Sequence, residues 1–155
     1  LAPGFGNDPP PIYFTAPSPS GGDPRIQTSF DAFDIAFSNS VIEHVGQWEK
    51  QCTFAKELMR VAKKYYVQTP DYDSPFEFHL LTPFIHWLPR SVQYKLSKYS
   101  LWAILARPSD EERKQFIFND LFLLNTRQMS QLFPDATLHR ERFCLLPKSI
   151  YCIKY

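Results

Sequence analysis

The run from Phe33 to Val45 constrains this chain most. An apolar stretch, Phe33-Asp34-Ile35-Ala36-Phe37, ends abruptly in Ser38-Asn39-Ser40 and leads into Val41-Ile42-Glu43-His44-Val45. Ile35 to Asn39 carry little charge and fit a parallel strand covered on both faces. The short polar side chains that follow supply donors and acceptors at the strand's carboxyl end, where open α/β sheets place their ligand sites.

The next elements extend this into a strand-helix-strand unit. Gln47 to Lys64 reads as an amphipathic helix, with Trp48, Cys52, Ala55, Met59 and Ala62 along the face expected on the sheet. Tyr65-Tyr66-Val67-Gln68-Thr69 follows as a strand stopped by Pro70. Such a unit closes as a right-handed crossover between parallel strands. Near the end, Thr137 to Phe143 and Ser149 to Tyr155 read as two more strands joined through Leu145-Leu146-Pro147-Lys148, an antiparallel hairpin that finishes the sheet.

Between these halves the pattern is aromatic and broken by Pro75, Pro83 and Pro89. Ser91 to Ala106 forms one expected helix with Val92, Leu96, Tyr99, Trp102 and Ala106 as its apolar stripe. Ser109 and Glu112 make a capping box for a second helix running towards Leu132. Residues of about 75–132 are therefore an expected helical lid inserted in an α/β domain of residues 25–155. Residues 1–24 are set apart as an arm or linker, since seven of the fourteen prolines and four of the five glycines precede Arg25. Within the arm, Ile12-Tyr13-Phe14 is the apolar patch able to dock.

Composition narrows the function classes. A chain of 155 residues, 44% hydrophobic and 21% charged, can bury one core. Seventeen basic against sixteen acidic side chains leave no global field to recruit nucleic acid or an anionic membrane. Leu80 to Leu88, interrupted at Pro83, is too short to cross a bilayer. Cys52, Cys144 and Cys152 follow no metal spacing and read as free thiols, which together with the lack of a signal-peptide pattern suggests the cytoplasm.

Four segments together resemble class I S-adenosylmethionine-dependent methyltransferases of the type 11 kind. They are the 33–45 run, Phe54-Ala55-Lys56-Glu57-Leu58-Met59-Arg60-Val61, Tyr66-Val67-Gln68-Thr69-Pro70 and Leu132-Phe133-Pro134-Asp135-Ala136. The resemblance covers Gly22 to Pro89 and Leu132 to Tyr155. It implies part of a Rossmann-like sheet, parallel strands plus a carboxyl-terminal hairpin lying beside the second parallel strand, with S-adenosylmethionine as cofactor. Gly22 and Asp23 correspond to the acidic loop at the adenine, and Ser38 and Asn39 to the strand tip beside the methionine portion. Read without the family, Asp23 starts a turn before Pro24, and Ser38 and Asn39 are turn formers.

His44 is the candidate catalytic residue, a base or acceptor-orienting group, with Glu43 either orienting its ring or capping the next helix. The alternative is a partly buried histidine at a helix start. Glu77, His79 and His86 have ligand chemistry but no diagnostic spacing, so no metal is expected. By the resemblance, Glu77, His79, Phe84 and Trp87, with Glu43, shape an acceptor pocket. Arg90, Lys95, Lys98, Trp102 and Arg107 could meet a lipid surface, although a helix packed on its own domain with snorkelling lysines explains them as well.

The family's glycine-rich turn and ribose-binding acid have no counterpart here, since Gly4-Phe5-Gly6 is followed by Pro9-Pro10-Pro11. A further departure is Ala62-Lys63, where relatives place a helix-ending glycine. A sheet without the strands that usually flank the first one here has an exposed edge, suited to self-association unless the arm covers it. Two function classes follow: methyl transfer to an unidentified acceptor, for which a hydrophobic molecule suits the aromatic lid, and a noncatalytic interaction module on the same fold.

Overall fold

The computed structural model describes residues 30–155. It is a mixed α/β fold. β1 (Phe33–Asn39) and β2 (Ala62–Pro70) are parallel and joined by a 3-10 turn (Ile42–His44) and α1 (Trp48–Val61). After the lid and α5 (Thr126–Leu132), β5 (Thr137–Phe143) and β6 (Leu146–Lys154) form an antiparallel hairpin. The sheet order is β1-β2-β6-β5, with β6 antiparallel to β2, so the hairpin does lie beside the second parallel strand.

β1 differs from the expected strand covered on both faces. Ala36 and Ser38 point into the core, whereas Ile35 and Phe37, on the other face, are 60% and 46% exposed. Phe37 instead begins a row of rings across the sheet, stacking on Tyr66, which stacks on Tyr151, which stacks on His139. Both helices of the sheet half lie on the opposite face. Ala55, Leu58 and Val61 of α1 and Met129 and Leu132 of α5 pack with Tyr65, Val67, Ile150 and Cys152. Among the described residues β1 is an edge of the sheet.

The buried face of α1 is turned by about one residue from the expected stripe. Gln51, Ala55, Leu58 and Val61 are buried, and Trp48, Cys52 and Met59 flank them. Gln51 tolerates burial because its amide donates to the carbonyls of Ile42 (3.3 Å) and Phe122 (2.8 Å), so the polar group is not left unpaired. The helix runs straight into β2 through Ala62, whose backbone is extended (φ −131°, ψ 136°). With no left-handed residue at that junction, the family's glycine is not needed.

The hairpin turn is tighter than the expected 145–148 connection. Phe143 pairs with Leu146, leaving Cys144 and Leu145 as the turn, both with positive φ (48° and 70°). All three cysteines are free. Burial pushes the Cys152 thiol up to about 12.

The lid consists of a two-residue ladder, β3 (Phe76–Glu77) with β4 (Thr82–Pro83), a 3-10 turn (Ile85–Trp87), α2 (Arg90–Ser97), α3 (Leu101–Ala106), α4 (Asp110–Gln115) and a π turn (Phe116–Asp120). Its own small core is Leu80, Ile85 and Ile117, against which Tyr94, Trp102 and Phe116 pack. The single expected helix over 91–106 is two helices, because Ser100 caps α3 by accepting from the Ala103 amide. The first part of its stripe is inverted as well, although Trp102 packs inward as expected. Val92, Leu96 and Tyr99 face solvent, and Gln93, Ser97 and Ser100 face inward. Each inward group is satisfied by backbone: Gln93 donates to the carbonyls of His86 and Leu88, Ser97 to Tyr94 and Ser100 to Ser97.

The Ser109–Glu112 capping box forms as expected. The helix behind it stops at the π turn and does not run to Leu132. α5 starts anew with its own box, Asn125 and Gln128, and joins the sheet core rather than the lid. No helix among the described residues is long and apolar enough to cross a membrane.

Candidate functional site

The carboxyl ends of β1 and β2 and the rim of the lid meet at four side chains, Glu43, His44, Glu77 and His79. Ser40, with φ at 53°, turns the chain sharply out of β1 and anchors it by donating from its amide to the Gln68 carbonyl (2.9 Å). The 3-10 turn then brings Glu43 and His44 under the lid, held by the Phe122 amide donating to the Glu43 carbonyl (2.8 Å). Glu43 is wholly buried (0% exposed) and its Oε2 accepts from the Thr69 hydroxyl at the end of β2 (2.9 Å). Its other oxygen, Oε1, has no hydrogen-bond partner and lies 3.9 Å from His79 Nε2. Burial raises the Glu43 pKa above the usual carboxylate range.

The partners of the two imidazoles determine where their protons sit. His44 Nδ1 lies 2.9 Å from the Asp120 carbonyl, which only accepts, so Nδ1 carries a proton. His79 Nδ1 donates to Glu77 Oε1 (2.7 Å), a carboxylate also held by the amides of His79 and Leu80. Burial alone would raise the Glu77 pKa, but these donors and the nearby His79 charge outweigh it and lower it. For His79, burial opposes the charged ring, and the Glu77 hydrogen bond with the Glu77 and Glu43 charges overcomes that and raises its pKa. Both Nδ1 atoms are thus spoken for. The two Nε2 atoms face each other at 3.1 Å, with ring centroids 4.8 Å apart.

Phe116 leans on both rings, 6.5 Å from His44 and 6.2 Å from His79. It also lines, with Trp102, Arg107, Gln115 and Asp120, a cleft of about 740 Å³ that opens beside the cluster. Its walls combine the Trp102 and Phe116 rings with the charged side chains of Arg107, Glu111, Glu112 and Asp120.

The structure brings together His44, Glu43, Glu77 and His79 from the sequence candidates. Glu43 does not cap α1, whose first turn is preceded by Gln47 without a side-chain cap, and the contact that fixes the His44 ring is the Asp120 carbonyl. Phe84 and Trp87 pack on each other at the lid surface (5.4 Å), Trp87 donating from its indole to the Tyr72 carbonyl. His86 is buried elsewhere, bonded to that same carbonyl through Nε2. Gly22 and Asp23 lie outside the described residues. Ser38, at the end of β1, is buried with its hydroxyl unpartnered, and Asn39 beside it is exposed. Arg90 is not a surface cation: its guanidinium donates to the carbonyls of Ile117 (2.9 Å) and Leu121 (2.7 Å) and covers the Phe122 ring.

Asp120, Thr69, Gln51 and Phe116 are the site's supports that sequence reasoning missed. Asp120 acts through its backbone carbonyl, for which its side chain carries no signal. Thr69 was visible as the last residue of the strand expected before Pro70. No protein-family model, curated protein or solved structure matches this chain.

Proposed function

We propose that this chain is a class I methyltransferase-type α/β domain in which S-adenosylmethionine and an unidentified acceptor meet at the carboxyl ends of β1 and β2. The observation that carries the reading is the buried Ser38 hydroxyl, left without a partner at the tip of β1. It sits in a half-sheet that ends as the sequence resemblance implies, with β6 antiparallel beside β2. An orphaned buried hydroxyl costs stability unless a ligand satisfies it. In this reading Ser38 and the exposed Asn39 would hold the polar amino-acid portion of the cofactor. Gly22 and Asp23 are proposed for the adenine.

The cofactor, when bound, supplies a methyl group already activated on a sulfonium, so the protein's main task is to position the acceptor. His44 and His79 present their Nε2 atoms beside the Phe116 cleft, where an unprotonated nitrogen accepts a hydrogen bond from an acceptor O–H or N–H and can take up its proton. Glu77 and the Asp120 carbonyl hold the rings in the tautomer this requires.

Calorimetric titration of S-adenosylmethionine and S-adenosylhomocysteine tests the reading. Weak but saturable binding is expected, because the glycine-rich turn and the ribose-binding acid have no counterpart here, and Ser38→Ala should weaken it a further tenfold or so, the effect of one lost hydrogen bond. A folded protein that binds neither ligand would overturn it. The exposed Ile35 and Phe37 on β1 favour a second reading, a noncatalytic interaction module. A chain that ignores both cofactor forms yet associates, with association lost in Phe37→Ser, would favour that module.

A further inference from the structure

We propose that Glu43, His44 and His79 form a binding site for a divalent first-row transition ion such as Zn²⁺, Mn²⁺ or Fe²⁺. One ligand atom from each of the three lies within 4.8 Å of the others. Three features of the site point to a cation rather than to a packing contact.

The first is the direction of the lone pairs. Each Nδ1 is committed as a donor, His44 to the Asp120 carbonyl and His79 to the Glu77 carboxylate. With neutral rings, the two Nε2 lone pairs crowd each other at 3.1 Å, a repulsive arrangement unless a proton lies between them or a cation beside them, bound by both. Histidines that hold metals characteristically donate their other ring nitrogen to a carboxylate or a backbone carbonyl, and here one ring uses each.

The second is the unpaired oxygen. Glu43 Oε1 is fully buried, has no hydrogen-bond partner and lies on the side of His79 Nε2. An uncompensated buried carboxylate oxygen is costly, and a cation shared with the imidazoles would satisfy it. Charge balances as well, because a dication offsets the two buried carboxylates Glu43 and Glu77.

The third is size. Ligand atoms at about 2.0–2.2 Å from an ion stand roughly 3 Å apart from one another. The two Nε2 atoms already have that spacing, whereas Glu43 Oε1 lies 3.9 Å from His79 Nε2 in a set that spans up to 4.8 Å, so the carboxylate has to close in by about 1–2 Å. Two imidazoles and one carboxylate are a donor set for borderline ions, unlike the all-oxygen sets of Ca²⁺ and Mg²⁺ or the sulfur sets of Cu⁺. Three protein ligands leave positions open, and both rings are partly exposed beside the Phe116 cleft. Water or an oxygen of the acceptor would occupy them, and with both Nε2 lone pairs on the ion it would be the ion, not a free imidazole as in the metal-free reading, that eases loss of the acceptor's proton.

The competing account is a single proton shared between the two Nε2 atoms. Direct binding separates the two, and needs neither cofactor nor acceptor. Metal-stripped protein is titrated with Co²⁺, followed by its visible d–d absorption, and with Zn²⁺, followed by calorimetry and thermal unfolding. The expected result is one Co²⁺ per chain with nitrogen-ligand absorption, displaced by Zn²⁺, and a higher unfolding temperature with metal. His44→Asn and His79→Asn should each weaken binding at least a hundredfold. Glu77→Gln, which alters the support of His79 without removing a proposed ligand, should weaken it about tenfold. His86→Gln removes a buried histidine outside the cluster and should leave binding unchanged. Circular dichroism of each variant confirms folding, and both His44 and His79 are partly exposed, so both variants are expected to fold. No stoichiometric Co²⁺ spectrum, or binding that His44→Asn and His79→Asn leave intact, would overturn the site and leave the shared proton. A chain that binds metal but no S-adenosylmethionine would keep this site and remove the methyl-transfer reading.

Discussion

The sheet half and the lid are built on opposite plans. Around the sheet, fourteen buried residues form one core, nearly all apolar, from Ala36 on β1 to Cys152 on β6. The lid has a small apolar cluster, Leu80, Ile85 and Ile117 with Tyr94, Trp102 and Phe116 against it, and its interior also holds Gln93, Ser97, Ser100 and the Arg90 guanidinium, each bonded to backbone. Other large apolar groups point outward instead, Tyr99 at 71% and Leu105 at 69% exposed. Apolar burial supplies most folding free energy, whereas polar groups bonded to backbone contribute little beyond avoiding a penalty. The sheet half therefore carries the stability. The lid carries shape, and the candidate site joins them, with Glu43 and His44 from one and His79 and the Asp120 carbonyl from the other.

The difference is broken most directly by cutting each core. Leu58→Ala empties a site in the sheet core and should cost about 3 kcal/mol in denaturant unfolding, lost from every probe at once. Ile117→Ala is expected to act locally: amide exchange in residues 76–120 accelerates while α1, β2 and β6 keep their protection. Equal loss of protection in both regions would mean that lid and sheet unfold as one unit.

Tyr65 sharpens the comparison, since it places a polar group in the sheet core. Its phenol is surrounded by core and donates to Asp135, and burial followed by that bond pushes its pKa far above the ordinary value near 10. A neutral form favoured in the fold contributes fully below the unfolded pKa and is lost as pH rises beyond it. Stability should accordingly decline above about pH 10 in the parent, and this part of the decline should vanish in Tyr65→Phe. The same substitution should cost about 1 kcal/mol at neutral pH, measured by urea unfolding.

Asp135 gives the acidic counterpart with a smaller effect. Burial tends to raise its pKa, but bonds from Lys154 (2.8 Å) and Tyr65 outweigh it, and the folded value is depressed. Its contribution is present above the unfolded pKa and is lost as pH falls through the folded one. Asp135→Asn should flatten the acid limb below about pH 4 by about 0.5 kcal/mol, modest because the pair is partly exposed. An unchanged acid limb would assign it to other carboxylates.

The same contrast explains how much could be read from sequence. The unit β1-α1-β2 and the final hairpin were legible because apolar periodicity reports burial wherever the core is apolar, as at Ala55 and Val67. The lid inverted that signal. Val92, Leu96 and Tyr99 have helical spacing yet face out, because Gln93, Ser97 and Ser100 find backbone partners inside, and no periodicity reports such partners. Glu43, His44, Glu77 and His79 were legible as chemistry but not as one cluster, because the contact between His44 and His79 is made by the lid's path, 35 residues later. Ile35 and Phe37 looked buried because their composition suits a strand covered on both faces, while the described residues cover only one.

The smallest expected effect lies at the hairpin turn, far from either core. Cys144 and Leu145 both adopt positive φ, the conformation that two-residue hairpin turns require and that asparagine and glycine accept at least cost. Leu145 is 87% exposed, so its side chain is exposed to solvent and its replacement loses little packing. Leu145→Gly should raise stability by only about 0.3 kcal/mol, because relief of the left-handed strain slightly exceeds the added flexibility of the unfolded chain. Thermal unfolding reads the gain, and the paired change Cys144→Asn with Leu145→Gly should exceed either alone. A loss of stability in Leu145→Gly would mean that the leucine packs on the strands, and would extend the sheet's apolar plan into its turn.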